Sequence, residues 1–102
     1  MILKIYSVFD SATCAYLQPM FCLSRGQALR SLTEAFNDKS HPFGKYPQDH
    51  VIFELGEFDD STCKFTLHSA PVSLGVGIEF VNRVAESRVV EPRDGFSRDD
   101  AN

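Results

Sequence analysis

SRGQALRSLTEAFND, residues 24–38, decides the fold. Ser24 followed by Gln27 has the spacing of a capping box, in which a hydroxyl accepts from the backbone amide three residues later. Ala28, Leu29, Leu32, Ala35 and Phe36 then recur at helical spacing, while Arg30, Thr33 and Asn37 fall on the opposite side. The stretch therefore reads as one amphipathic helix ending near Asn37-Asp38, with a single apolar stripe that needs a surface to cover.

On both sides of this helix the hydrophobic period changes to two. Ile2 to Phe9 is rich in β-branched and aromatic residues, with Leu3, Ile5 and Phe9 on one face and Lys4 and Tyr6 on the other, as in a half-buried strand. Asp10-Ser11-Ala12-Thr13 makes a turn, and Ala15 to Leu23 forms a second strand. Pro19 removes a ladder donor from it, which places this strand at a sheet edge or marks a bulge. After the helix, Lys39 to His50 carries two prolines and a glycine and reads as a loop.

Val51 to Phe58 and Cys63 to His68 form the third and fourth strands around a turn at Asp59-Asp60-Ser61. Pro71 breaks the last strand. Ser73 then caps a short helix through Leu74, Ile78, Val81 and Val84, while alternation over residues 74–80 also allows a strand. From Glu86 onward the chain is charged and poor in large apolar residues. The order β-β-α-β-β-(α) predicts an α+β fold: a small antiparallel four-stranded sheet of two β-hairpins with a helix packed on one face. It predicts one domain over residues 1–85 and a disordered tail over 86–102. Edge strands in so small a sheet also invite pairing into a homodimer.

At 102 residues the chain suits one core, and nine Phe and three Tyr supply much of its apolar bulk. Ten basic against 14 acidic side chains give a net charge of −4, which opposes a broad electrostatic grip on nucleic acid but leaves room for a local patch. Cys14, Cys22 and Cys63 are an odd set without a close pair, as expected of free, buried or half-buried thiols in a reducing cytosol. No stretch approaches the ~20 apolar residues of a membrane span, and Met1 to Ile5 reads as a strand rather than a signal peptide.

Few residues point to covalent chemistry. His41, His50 and His68 with Cys63 match no zinc spacing, with the first two in a polar loop and Cys63 in a strand. Gly75 and Gly77 lack the lysine and the strand–turn–helix setting of a phosphate loop. No catalytic set, metal or cofactor is expected, and the chain reads as a binding protein. Two surfaces are candidates. Tyr6, Tyr16 and Tyr46, with Lys4, Arg25, Arg30, Lys45 and Lys64, offer rings and cations for a nucleic-acid strand. Glu54, Glu57, Asp59 and Asp60 form an acidic hairpin that suits docking on a basic partner.

Several segments in a fixed order also resemble a known family. LKIYSVFDS (3–11), AYLQPMF (15–21), RGQALRSLTEAFND (25–38), FELGEFDD (53–60), PVSLG (71–75) and IEF (78–80) together are similar to the small nonstructural protein of gokushovirus-type microviruses, phages with single-stranded DNA genomes. The resemblance implies an early, non-capsid protein of the host bacterial cytoplasm. Such a protein would act in genome replication or in the switch to packaging single strands, with single-stranded DNA or viral and host replication proteins as partners. It supplies no catalytic residues.

Overall fold

The computed structural model describes residues 1–81, so the expected tail and the end of the last helix at Val84 lie outside the described residues. The strand β1 (Ile2–Asp10) is central. Along one edge it pairs antiparallel with β4 (His50–Asp59), from Ile2 opposite Asp59 to Asp10 opposite His50. Along the other it pairs with two short pieces, β2 (Ala15–Tyr16) and β3 (Met20–Cys22). The missing donor of Pro19 falls in the gap between them, so the second strand expected from the sequence is an edge strand broken in two. β5 (Lys64–Val76) pairs with the far side of β4. The result is an α+β fold on a curled antiparallel sheet ordered β2/β3, β1, β4, β5.

The helix α1 (Arg25–Phe36) begins as the sequence indicates: Ser24 Oγ accepts from the Gln27 amide at 3.1 Å, and Gln27 Oε1 accepts from the Leu23 amide at 2.7 Å. Its buried stripe is Ala28, Leu32 and Phe36. Leu32 and Phe36 pack against Val8, Ile52 and Phe80, with Met20, Leu29, Phe43, Leu74 and Val81 around them. Burying a Phe or Ile side chain contributes about 1.5–3 kcal/mol, so this cluster is the main reason α1 stays on the sheet.

Four expectations are corrected. The first concerns the faces of β1. The sequence puts Lys4 and Tyr6 on the face opposite Leu3, Ile5 and Phe9 and offers Tyr6 as an exposed ring, but the register with β4 sets Tyr6 and Val8 beside Glu54 and Ile52, on the side that α1 covers. Both faces of β1 are apolar, so alternation alone could not orient it. Second, Pro71 does not end the last strand, because β5 lies at an edge where the missing donor costs no ladder bond. The strand bulges instead: His68 to Pro71 intervene between Leu67, paired with Gly56, and Val72, paired with Glu54. Helical geometry starts at Ile78, later than the expected cap at Ser73.

Third, residues 39–50 are not a plain loop. The short helix α2 (Pro42–Lys45) has Pro42 in its first turn and is capped by His41 Nδ1, which accepts from the Phe43 amide at 3.0 Å. A 3₁₀ turn at Pro47–Asp49 follows. His50 then begins β4 as a buried residue rather than an exposed one, its ring 4.7 Å from that of Phe43. Fourth, Cys63 is not a strand residue. It lies exposed in the β4–β5 turn with φ +63°, as Cys14 does in the first turn with φ +58°.

Candidate functional site

The face of the sheet turned away from α1 is built from β1 residues of odd number. The register places Phe58 beside Leu3, Phe53 beside Ser7 and Val51 beside Phe9. It also places Phe21 beside Ile5, Tyr16 beside Phe9, and Phe65 beside Phe58. Cross-strand neighbours on one face are close enough for rings to touch, and two clusters result. In one, Tyr16 lies 4.9 Å from Phe9 and 5.5 Å from Phe53 between ring centres. In the other, Phe21, Phe58 and Phe65 meet at 5.6, 6.3 and 4.7 Å.

These rings are only partly sealed by the chain itself. Tyr16, Phe21 and Phe65 are 50%, 46% and 53% exposed, whereas Ile5 beneath them is buried. Beside Tyr16 opens an apolar cleft of about 400 Å³, lined by Ser7, Leu17, Pro19, Leu55 and Pro71. The curl of the sheet is what lets residues of one edge, Leu17 and Pro19, share a cleft with Pro71 of the other. The Ser7 hydroxyl at its floor already donates to the Leu17 carbonyl at 2.7 Å.

Gly56 makes the centre of this face thin. It sits opposite both Ile5 and Leu67 with φ +154°, and a Cβ there would run into the Thr66 carbonyl and lie 2.7 Å from Leu67 Cα. Only glycine fits so close an approach of β5 to β4.

The cations expected beside these rings lie elsewhere. Lys4 is on the helix side of the sheet and bonds Glu57. Arg25, in the first turn of α1, donates to Glu54 Oε1 at 2.6 Å. These contacts raise the pKa of both cations. Arg30 and Lys45 are exposed on α1 and α2, Tyr46 is exposed at the end of α2, and Lys64 lies opposite Asp59 at the tip of the second hairpin. Tyr6 is 0% exposed, and a ring with no open face cannot stack on a base. Burial first, then the Glu54 charge, push its phenol pKa up, with Arg25 acting in the opposite sense. Of the rings and cations named from the sequence, Tyr16 alone joins the open ring face. Phe21 and Phe65 were missed as site residues. Their signal was their place as phenylalanines in strands, but only the cross-strand register brings them to one face.

The acidic hairpin is engaged within the chain as well. Glu54 is buried against Arg25, Glu57 holds Lys4, and Asp59 and Asp60 lie 3.8 and 2.9 Å from the Met1 amine. Among the described residues no three of His, Cys, Asp and Glu gather closely enough to hold a metal ion, and no helix is long and apolar enough to cross a membrane.

The family model described as Phage ORF5 protein matches residues 3–80, from the start of β1 to the helical turn after β5. The chain belongs to the Phage ORF5 protein family. No curated protein matches it, and no solved structure does. The matched span of this ORF5-family chain contains both ring clusters, the cleft and the whole of α1. A phage accessory protein is the role this membership supports.

Proposed function

We propose that this ORF5-family protein is a nonstructural accessory factor of viral single-stranded DNA replication in the host bacterial cytoplasm, and that it holds single-stranded DNA on the open face of its sheet. The observation that carries the reading is the half exposure of Tyr16, Phe21 and Phe65 on the side away from α1. Every base has a π-face, and stacking on such rings contributes about 1–3 kcal/mol per base without regard to sequence. Lys4 and Arg25 are occupied by Glu57 and Glu54, so the face grips bases more than phosphates. Its affinity should therefore depend little on salt, whereas proteins with many phosphate contacts lose about 10³–10⁵ in affinity between roughly 50 and 200 mM.

Fluorescence titration with a labelled oligothymidine at two salt concentrations tests this. Saturable binding with a shallow salt slope supports the proposal. No binding even at the lower salt removes DNA from it, since any phosphate contact strengthens there.

A second reading rests on the net charge of −4 and on the internal pairing of Lys4 and Arg25. In it the same rings dock on the viral replication initiator or on a host replication factor. Phe21→Glu then abolishes co-purification of that partner, and oligonucleotides fail to bind the unmodified chain.

A further inference from the structure

The two edges of the sheet are finished differently. At one, β2 and β3 have two and three residues and are interrupted near Pro19, leaving no long template for another strand. At the other, the outer side of β5 has no partner among the described residues, and residues 64–73 are all exposed. Charged side chains, prolines and bulges are the usual protections of a sheet edge. Lys64 stands at the start of β5 and the bulge of His68 to Pro71 interrupts it, but Phe65-Thr66-Leu67 between them carries no Lys, Arg, Asp or Glu and no proline. Leu67 in this window is 62% exposed.

We propose that this edge pairs with the same edge of a second copy of the chain, antiparallel about a two-fold axis, joining two sheets into one. Three observations favour a second copy as the occupant. The exposed N–H and C=O groups ask for a strand, and a two-fold axis offers each copy the edge it presents. The ring cluster of Phe21, Phe58 and Phe65 ends at β5, so a second sheet continues the open face and covers Leu67 on both sides of the axis. Antiparallel pairing also sends the acidic tips, Asp59 and Asp60, to opposite ends of the shared ladder, where the negative charges of the two copies stay apart.

The inference rests on the edge and not on what the open face binds. Sedimentation equilibrium of the full chain over a wide concentration range reads it directly. The expected mass approaches twice the 11.4 kDa of one chain. Leu67→Lys places like charges beside the axis and should weaken the dimer by about tenfold or more. His68→Lys repeats the test at the next exposed position. Ile78→Lys, at an exposed apolar residue beyond β5, should leave the mass unchanged. Far-UV circular dichroism checks that each variant is folded. A monomer at every concentration overturns the proposal. So does an unweakened dimer of folded Leu67→Lys and His68→Lys, or an Ile78→Lys effect as large as theirs. The monomeric variants keep their ring clusters, so oligonucleotide binding is scored separately from assembly.

Discussion

The Arg25 guanidinium donates to the Glu54 carboxylate at 2.6 Å, tying the first turn of α1 to the middle of β4. Glu54 is buried while the Arg25 side chain is 57% exposed, so the two ends of the pair are not equivalent. Removing the arginine leaves a desolvated carboxylate without its partner, which costs more than the pair itself contributes. Arg25→Ala should destabilise the fold by about 1–2 kcal/mol, discounted for the exposure of the cation. Glu54→Gln in the same chain should restore part of that loss. Urea denaturation of the single and double variants measures both, and strictly additive losses would show that the residues do not interact.

The β4–β5 and β1–β2 turns share a construction that yields a second expectation. Asp59 accepts from the Ser61 amide at 3.0 Å, as Asp10 does from the Ala12 amide at 3.0 Å, and each turn closes on a cysteine of positive φ. At +63° and +58° the backbone of Cys63 and Cys14 is left-handed, a conformation that strains a side chain bearing Cβ and suits glycine. Cys63→Gly and Cys14→Gly should each stabilise the chain by about 0.5–1 kcal/mol, after the greater freedom of glycine in the unfolded chain is offset. A fall in thermal midpoint for both variants would contradict the assignment.

What the sequence revealed followed from local signals strong enough to stand alone. The capping pair Ser24 and Gln27 with the stripe Ala28, Leu32 and Phe36 specified α1 almost to the residue. Pro19 marked an edge because proline cannot donate. The site was harder to read, because β1 is apolar on both faces and only its pairing with β4 decides which face α1 covers. Tyr6 therefore reads as an outer ring when it is buried, and nothing in the local pattern singles out Phe21 and Phe65, which are half exposed. Ion pairing was illegible for the same reason: Lys4 with Glu57 and Arg25 with Glu54 are neighbours across 53 and 29 residues of chain.

Acid should weaken the fold through two turns in which a serine follows an aspartate by two residues, at Asp59 and at Asp38. The Ser61 hydroxyl, then its amide, hold the Asp59 carboxyl below its ordinary value of 3.8, and Ser40 does the same for Asp38. A carboxylate whose pKa is lower folded than unfolded adds stability above pH 3.8, and loses it as pH falls through the folded value. The Met1 amine behaves oppositely: hydrogen bonding to Asp60 raises it, so its contribution is full below pH 8.0 and is lost as pH rises through the raised value. The contribution of these groups to the thermal midpoint should therefore fall as pH drops below 3.8 and as it rises above 8.0. Ser61→Ala should shrink the acid-side decline, and an identical profile for that variant would remove Asp59 from the explanation.

Phe65 offers the sharpest separation of stability from binding. Its ring is 53% exposed and touches Phe21 and Phe58 from the outer strand, so its loss opens no enclosed cavity. Phe65→Ala should cost the fold about 1 kcal/mol, well short of the ~3–5 kcal/mol of a buried Phe truncated to Ala. If bases stack on this face, the same change should weaken oligothymidine binding about 5- to 150-fold, the equivalent of roughly 1–3 kcal/mol for one lost stack. Phe36→Ala is the complementary case, since Phe36 lies in the core under α1 and has no contact with the open face. It should lower the unfolding midpoint strongly, and at temperatures where it remains folded it should bind the oligonucleotide as the unmodified chain does. Equal losses of affinity in the two variants would mean that binding follows global stability, and the open face would then have no special claim to the DNA.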